Sequence, residues 1–388
     1  MSRSKRYGIA MCLCVAAVGI VLLPTPAGAC SQVAASRDKE AVLATYWGHQ
    51  IGFFTVNPRG LRKKQLFVPG KAEPVEWVSK HGSVTYNLFA VGFPMEGMNE
   101  AGLAVATLSK WTLQPSDSGR KGRLPRSWVQ YALDRFGTVE EVVRFTTGPE
   151  FDKMAEPEEL LKYLPCDAEG NVAVLEMVDG EMAAYSDRTP KAIGGYYAWP
   201  KVAEILKEYQ GFGGEKPLPP QEQLQTQSPE QLKQQLKFTG PPKVSMIKGP
   251  LQFAHYDPAR WQGMAAYALG GNIRTSGSLG VGIAYDVKNR QIHWGPEGIR
   301  FIKLSSLDFA PSSGMKILPR FFRIADKGEV SARFADLDLE TYPKLMDDNL
   351  ASYRHLDVVT RLIPPEDWKK LAAYPASFER AKADVPRR

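Results

Sequence analysis

The first part of the chain is made of short apolar or alternating runs of residues, which is the pattern of buried or half-buried β-strands. Between residues 30 and 106, short runs such as AVLATYW, GFFTVN and AGLAVATL are separated by Gly, Pro and Asn. Each run is long enough for one strand, and the breaks supply residues that favour turns. The pattern therefore predicts a sheet-rich first part of the protein.

The spacing becomes helical in the stretch SWVQYALDRFGTVEEVV. Its first apolar residues recur on one helical face from Trp128 to Phe136, and Gly137 ends that helix. A second helix is expected to begin at Thr138, because two glutamates fall in its first turn. Two helices joined by a glycine turn are thus predicted after the strands.

Strands are predicted again in NVAVLEMVDGEMAAYS, where Asp-Gly is typical of a tight hairpin turn. A helix follows Pro200, and further strands are expected in GVGIAYDVKNRQIHW and IRFIKLSSLDF. Residues 213–243 are rich in Gln, Pro and Gly, which indicates a surface insertion. Residues 321–388 are charged and predict a helical extension.

The amino-terminal residues have the organisation of an export signal. Arg3, Lys5 and Arg6 precede an apolar run at residues 9–23, and Ala-Gly-Ala at 27–29 is a small-residue cleavage site. That run is shorter than the ~18 apolar residues of a membrane span, so no stable membrane insertion is expected. We therefore predict a signal peptide at residues 1–29 and an exported protein, periplasmic or secreted.

Composition and charge exclude some partners. Without residues 1–29 the formal charge falls from +7 to +4, with 46 Lys and Arg against 42 Asp and Glu. The basic residues are scattered, so nucleic acid is not an expected partner. The five histidines show no close ligand spacing, so neither a metal nor another cofactor is expected.

Cleavage after Ala29 would make Cys30 the first residue of the mature chain. A terminal cysteine carries a nucleophile and a base in one residue, because the α-amine has a pKa of roughly 7.7–8.0 and the thiol of roughly 8.5. Two alternatives stay open, namely lipid attachment at Cys30 and a cysteine there by chance. A lipid-attachment motif has a Leu-like residue where this chain has Ala27.

The sequence resembles the choloylglycine hydrolase family, the N-terminal nucleophile (Ntn) amidases that include penicillin V acylases and bile salt hydrolases. The matching segments are CSQV, EWVSKHGSV, EGMNEAGLAVATL, SWVQYALDRFGTVEEVV, NVAVLEMVDGE and IRFIKLSSLDF, in family order. The resemblance implies an α+β fold, a four-layer αββα sandwich, over residues 30–320. The insertion at 213–243 and the extension at 321–388 lie outside it.

The resemblance also implies site residues, with Cys30 as the nucleophile. A late family arginine is expected at Arg260. The family's arginine and aspartate after the nucleophile fall on Thr45 or Tyr46 and on Gly48 or His49. Its two oxyanion asparagines fall on Ser109 and on Ala198 or Trp199. Asn99, in GMNEAGL, is a further lining candidate, although its setting favours a turn role.

These replacements weaken the implied active site, since each lost oxyanion donor costs about 10²–10³ in rate. The sequence is therefore consistent with two functions. The first is an amidase that hydrolyses a small-molecule N-acyl amide, such as a penicillin V-, bile-salt- or acyl-homoserine-lactone-like compound, through a thioester on Cys30. The second is a catalytically impaired relative that binds a ligand or a partner. A homo-oligomer is compatible with either.

Overall fold

The computed structural model describes most of the predicted domain. The described residues are 31–37, 40–47, 53–66, 73–87, 90–109, 127–151, 161–178, 181–194, 198–210, 212–217, 281–294, 300–310, 320–323, 335–336, 342–344, 347 and 365–380. Most of the insertion predicted at 213–243 lies outside them. Its described beginning forms an isolated parallel bridge between Tyr209 and Lys216.

Short strands dominate the described residues. In chain order they are β1 (Ser31–Arg37), β2 (Glu40–Trp47), β3 (Phe53–Asn57), β4 (Leu61–Lys64), β5 (Glu76–Val78), β6 (Ser83–Asn87), β7 (Glu96–Asn99), β8 (Ala104–Ser109), β9 (Leu161–Cys166), β10 (Val172–Val178), β11 (Glu181–Asp187), β12 (Lys191–Gly194), β13 (Val281–Asp286), β14 (Gln291–Trp294), β15 (Arg300–Lys303), β16 (Arg320–Arg323), β17 (Ala335–Asp336) and β18 (Glu379–Arg380). The α-helices are α1 (Trp128–Arg135), α2 (Val139–Thr146), α3 (Trp199–Leu206) and α4 (Pro365–Ala373). The alternating pattern of residues 30–106 thus forms strands, as predicted.

The strands form three antiparallel sheets. Sheet A has the order β12-β1-β2-β13-β14-β15, and sheet B has the order β11-β10-β9-β8-β7-β6-β3-β16-β17. A small sheet C has the order β18-β4-β5. Sheets A and B face each other, with β1 and β2 of sheet A packed over β8 and β9 of sheet B. The main core lies between these two sheets.

The residues of sheet B divide into an inner face toward sheet A and an outer face toward the helices. A Cβ added at Gly97 would contact the side chain of Leu133 in α1, so Gly97 lies on the outer face. Because strand side chains alternate, Glu96 and Met98 lie on the inner face. Burial and the Glu96 charge raise the pKa of the Tyr285 hydroxyl on sheet A, which agrees with this assignment.

The two helices predicted after the strands are α1 and α2, which cover the outer face of sheet B. Thr138 is the N-cap of α2, and its hydroxyl accepts the amide N–H of Glu141 at 3.2 Å. The Glu141 carboxylate in turn accepts the amide N–H of Thr138 at 3.3 Å, which completes a capping box. In the described part of the chain, no helix is long and apolar enough to cross a membrane.

The carboxyl-terminal segment differs from the helical extension expected after residue 320. α4 is helical, but β16 pairs with β3 in sheet B and β18 pairs with β4 in sheet C. The Tyr374 hydroxyl also donates to the Lys64 carbonyl at 2.9 Å. These strands are two to four residues long, too short for a periodic pattern, and partner strands fix them. The segment therefore completes two sheets of the domain.

Candidate functional site

The sandwich has two distinct ends along β1. At one end, Ser36 donates through its hydroxyl to the Gly170 carbonyl at 2.8 Å, in the turn between β9 and β10. At the other end, the Gln32 side chain donates through Nε2 to the Thr107 carbonyl at 2.6 Å, near the last residue of β8. We call this second end the β1-start end, because the chain enters β1 there at Ser31.

The sheet register brings several predicted site positions together at the β1-start end. Ser31, which directly follows Cys30, pairs with Gly194 of β12 on one side and with Tyr46 of β2 on the other. Ser109 is the last residue of β8 and pairs with Leu161, the first residue of β9. Strand β1, an internal strand of sheet A between β12 and β2, thus begins close to the last residue of β8. Cys30, Gly48, His49 and Arg260 lie outside the described residues.

Thr45, one of the two replacements for the family arginine, lies inside the sandwich. It is directly opposite Gln32 in the register, and both side chains are buried. Its hydroxyl donates to the Ile283 carbonyl at 3.3 Å. Thr45 therefore stabilises the pairing of β2 with β13 and brings no positive charge to this end.

Charged side chains are buried at the β1-start end on the other sheet. Lys162 of β9 lies between Leu108 of β8 and Glu176 of β10 in the register, so the three share the inner face of sheet B. Lys162 and Glu176 are fully buried. Burial raises the pKa of the Tyr185 hydroxyl on β11, and the Glu176 charge raises this pKa further.

Ala198 and Trp199, where the family's second oxyanion asparagine falls, begin helix α3. Ala198 is the exposed N-cap, whereas the Trp199 side chain is buried against the domain. The backbone N–H of Trp199 donates to Oε1 of Glu176 in a short hydrogen bond. This N–H is therefore already used in the described structure and is not free to stabilise an oxyanion.

Asn99 is separated from the other candidates. It is the last residue of β7, beside the start of β8, whereas Ser109 ends β8 about 17 Å away along a strand rising ~3.4 Å per residue. Its Nδ2 donates to the carbonyls of Leu133 and Phe136 in and after α1. Its Oδ1 accepts the amide N–H groups of Ala101 and Leu103. These bonds hold a turn against α1.

The remaining chemical candidates lie away from the β1-start end. Cys166 is a free, buried thiol at the opposite end of β9, and burial, together with Asp167, raises its pKa far above the usual range. A surface cleft of about 670 Å³ is lined by Tyr131, Arg135 and Phe145 on the outer side of sheet B. The residues described here contain no cluster of His, Cys, Asp and Glu able to hold a metal ion.

Sequence reasoning missed three buried polar residues at the β1-start end, namely Gln32, Lys162 and Glu176. Glu176 carried a usable signal, because it is the only charged residue in the strand VAVLEMV. A carboxylate in the middle of a strand that is buried on both faces needs a partner. Lys162 and Gln32 lie in shorter stretches of both polar and apolar residues, where a single polar residue does not stand out.

Two facing antiparallel sheets, with α1 and α2 on the outer face of sheet B and β1 an internal strand of sheet A, form an α+β sandwich with the Ntn-hydrolase-like fold that the resemblance implies. The solved structure of the penicillin V acylase from Agrobacterium tumefaciens agrees, with a TM-score of 0.51 and 18% sequence identity. The alignment covers 80% of this chain and 98% of that protein. A mutant of the conjugated bile acid hydrolase from Clostridium perfringens aligns with a TM-score of 0.47 and 14% identity, over 80% and 97% of the two chains.

A sequence relative points to the same family. The penicillin V acylase of Pectobacterium atrosepticum is 26% identical over 159 residues. The match covers 37% of this chain and 42% of the relative, so it spans less than half of that relative's length. No protein-family model matches the chain. The sequence match and the shared fold confirm the resemblance to the choloylglycine hydrolase family.

Proposed function

We propose that the protein is an exported amidase that hydrolyses the linear C–N amide bond of an N-acyl compound, with Cys30 as the nucleophile. The observation that carries the proposal is the register of β1. Ser31 is held between β12 and β2, so Cys30 directly precedes a residue that is anchored on both sides in sheet A. An N-terminal nucleophile requires such a rigid support for the terminus.

The reaction would proceed in two halves. The α-amine of Cys30 takes the thiol proton, and the thiolate attacks the amide carbonyl carbon. The tetrahedral intermediate breaks its C–N bond as the protonated α-amine donates a proton to the leaving nitrogen, which leaves a thioester on Cys30. Water, deprotonated by the same α-amine, then attacks the thioester and releases the carboxylic acid and the free thiol.

Ser109 is the proposed oxyanion-side residue at this end, because it ends β8 next to the first residue of β9. Tyr46 is the proposed neighbour of the nucleophile, since its backbone pairs with Ser31 and with Gly282. His49 and Arg260 are proposed to complete the site on the resemblance alone. Trp199 would contribute through its buried ring and not through its backbone N–H, which Glu176 already accepts.

The relatives suggest the substrates to test. One matched protein is a penicillin V acylase and another is a conjugated bile acid hydrolase. We therefore propose phenoxymethylpenicillin, conjugated bile acids and N-acyl homoserine lactones as the first panel. Release of the amine product would be measured for each compound with purified exported protein.

The decisive variant is Cys30→Ala, which should abolish hydrolysis of any substrate found. Cys166→Ala is the matched control, because that cysteine is buried at the other end of β9 and should retain activity. The intact mass of the exported protein should place the mature terminus at Cys30 with no added lipid. Activity that persists in Cys30→Ala would contradict the proposal.

One observation favours the second function, a ligand- or partner-binding relative without turnover. The Trp199 N–H, a backbone donor at a family oxyanion position, is taken by Glu176. A thioester burst of one equivalent per chain with any N-acyl amide would exclude this alternative. Saturable binding of the same compounds without a burst would support it.

A further inference from the structure

Two buried acceptor atoms at the β1-start end lack hydrogen-bond donors. Oε1 of Gln32 and Oε2 of Glu176 have no partner among the described residues. Both side chains are fully buried, on the two sheets that face each other. An unpaired carboxylate oxygen in a dry interior is costly, so a donor is expected at this place.

The Glu176 carboxylate is firmly held. Its Oε1 accepts the Trp199 N–H, which fixes the carboxylate relative to the first turn of α3. Gln32 is fixed in a similar way by its Nε2, which donates to the Thr107 carbonyl at 2.6 Å. Oε1 of Gln32 and Oε2 of Glu176 therefore stay in the interior, because neither side chain can rotate toward solvent.

The lysines beside Glu176 do not donate a hydrogen bond to its Oε2. Lys191 of β12, which lies over the Trp199 ring, pairs with Asp187 at 2.6 Å. Lys162 of β9 is directly opposite Glu176 in the register, yet it does not donate to Oε2. The Tyr185 hydroxyl of β11 is a further titratable group near the Glu176 carboxylate.

We propose that Glu176 is the acceptor for the α-ammonium group of mature Cys30. This inference rests on the proposed function and deepens it, since the family aspartate that would orient the amine falls on Gly48 or His49 in this chain. An α-ammonium has three N–H donors, one more than the two unpartnered oxygens require. Cys30 directly precedes Ser31, and the register of Ser31 places the start of β1 at the end where both oxygens lie.

The test is the pKa of the α-amine, measured by competitive labelling with an isotopic acylating reagent and mass spectrometry of the amino-terminal peptide. A Cys30→Ser background removes the thiol, so only the amine titrates. With Glu176 present, the amine pKa should lie above the usual range of roughly 7.7–8.0. In Glu176→Gln, it should fall by about one unit or more, because the neighbouring negative charge is lost.

Glu96→Gln is the matched control. Glu96 is equally buried on the inner face of sheet B, but it faces Tyr285, whose hydroxyl pKa is raised by burial and by the Glu96 charge. This variant should leave the amine pKa unchanged. Should Glu176→Gln fail to fold, the amine pKa of the Glu176-containing protein still decides, because a value inside the usual range overturns the inference.

Failure of the inference and failure of the proposed function give different results. An equal amine pKa with and without Glu176, in a protein whose turnover depends on Cys30, overturns the role of Glu176 alone. A shifted amine pKa in a protein that hydrolyses no N-acyl amide supports the role of Glu176 and overturns the amidase. A mature chain that does not begin at Cys30 overturns both.

Discussion

Lys63 of β4 and Asp134 of α1 form an ion pair from which solvent is excluded. The Lys63 Nζ lies 3.0 and 2.9 Å from the two carboxylate oxygens, and both side chains are fully buried. Trp77 and Gln130 donate further hydrogen bonds to the same carboxylate at 2.7 and 2.9 Å. The pair joins sheet C to α1, while Phe378 covers the ammonium group.

Removing one charge of this pair should be strongly destabilising. Lys63→Met leaves a buried carboxylate without its counter-ion and should lower the free energy of unfolding by about 3–5 kcal/mol. The double variant Lys63→Met, Asp134→Leu removes both charges and should be clearly more stable than Lys63→Met. Urea unfolding of the three proteins would measure this. Equal stability of Lys63→Met and the unsubstituted protein would contradict a buried pair.

Gly92 should tolerate no side chain, because it lies against the buried Tyr374 ring. Its φ is +88°, and an added Cβ would overlap the ring atoms of Tyr374. Gly92→Ala should therefore cost more than about 2 kcal/mol in unfolding free energy. Gly60→Ala is the matched control, since Gly60 has φ +75° but open space around it, and should cost only about 1–2 kcal/mol. Similar losses in both variants would argue against the Tyr374 contact.

Asn99→Ala should reduce stability and leave the kinetics per folded molecule unchanged. The substitution removes hydrogen bonds to four backbone groups around the α1 turn, which together should contribute roughly 2–4 kcal/mol. Thermal unfolding and kcat/KM of the same preparation would separate the two effects. A loss of kcat/KM without a loss of stability would contradict this prediction and would indicate that Asn99 contributes to the active site.

Ser109→Ala should show the opposite behaviour. If Ser109 stabilises the oxyanion at the end of β8, its loss should lower kcat/KM by about 10²–10³. The unfolding midpoint should change little, because a single hydroxyl at a strand end is removed. The same pair of measurements tests both residues, and an unchanged kcat/KM would remove Ser109 from the mechanism.

Cys30 and Cys166 should differ sharply in reactivity. Burial raises the pKa of the Cys166 thiol, so iodoacetamide at pH 8 should modify Cys30 alone in the folded protein. The unfolded chain ionises its thiol above roughly pH 8.5, whereas folded Cys166 stays protonated. The folded state therefore holds more protons there, and its contribution to stability falls as pH rises above that value. Cys166→Ala should flatten this slope in unfolding experiments between pH 8 and 10.

Individual strands and helices were predictable where a pattern of apolar residues extends over several positions. The short apolar run AVLATYW predicts β2, and Thr138 with Glu141 predicts the first turn of α2. These signals are local, since the residues that interact are close in sequence. The expectation of a helical segment after residue 320 was incomplete, because β16 and β18 depend on partners far away in the chain.

The sequence predicted which chain positions belong to the candidate site, but it did not predict their contacts. The cleavage pattern indicated Cys30, and the resemblance indicated Ser109 and Trp199. Neither could show that Glu176 takes the Trp199 N–H, because this contact joins strand β10 to the first turn of α3, 23 residues further along the chain. The separation of Asn99 from Ser109 likewise follows from strand register, which the sequence pattern alone does not determine.

The hydrogen bond from Tyr374 to Lys64 joins residues 310 positions apart. A ribosome reads the gene from the amino terminus, so Lys63 and Asp134 are synthesised long before the residues that cover them. Until the segment that contains Phe378 emerges, the ammonium group of Lys63 stays accessible to water. Completion of sheet C is thus expected to be a late event in biosynthesis. In a chain released before that point, the Lys63–Asp134 ion pair would stay exposed to solvent.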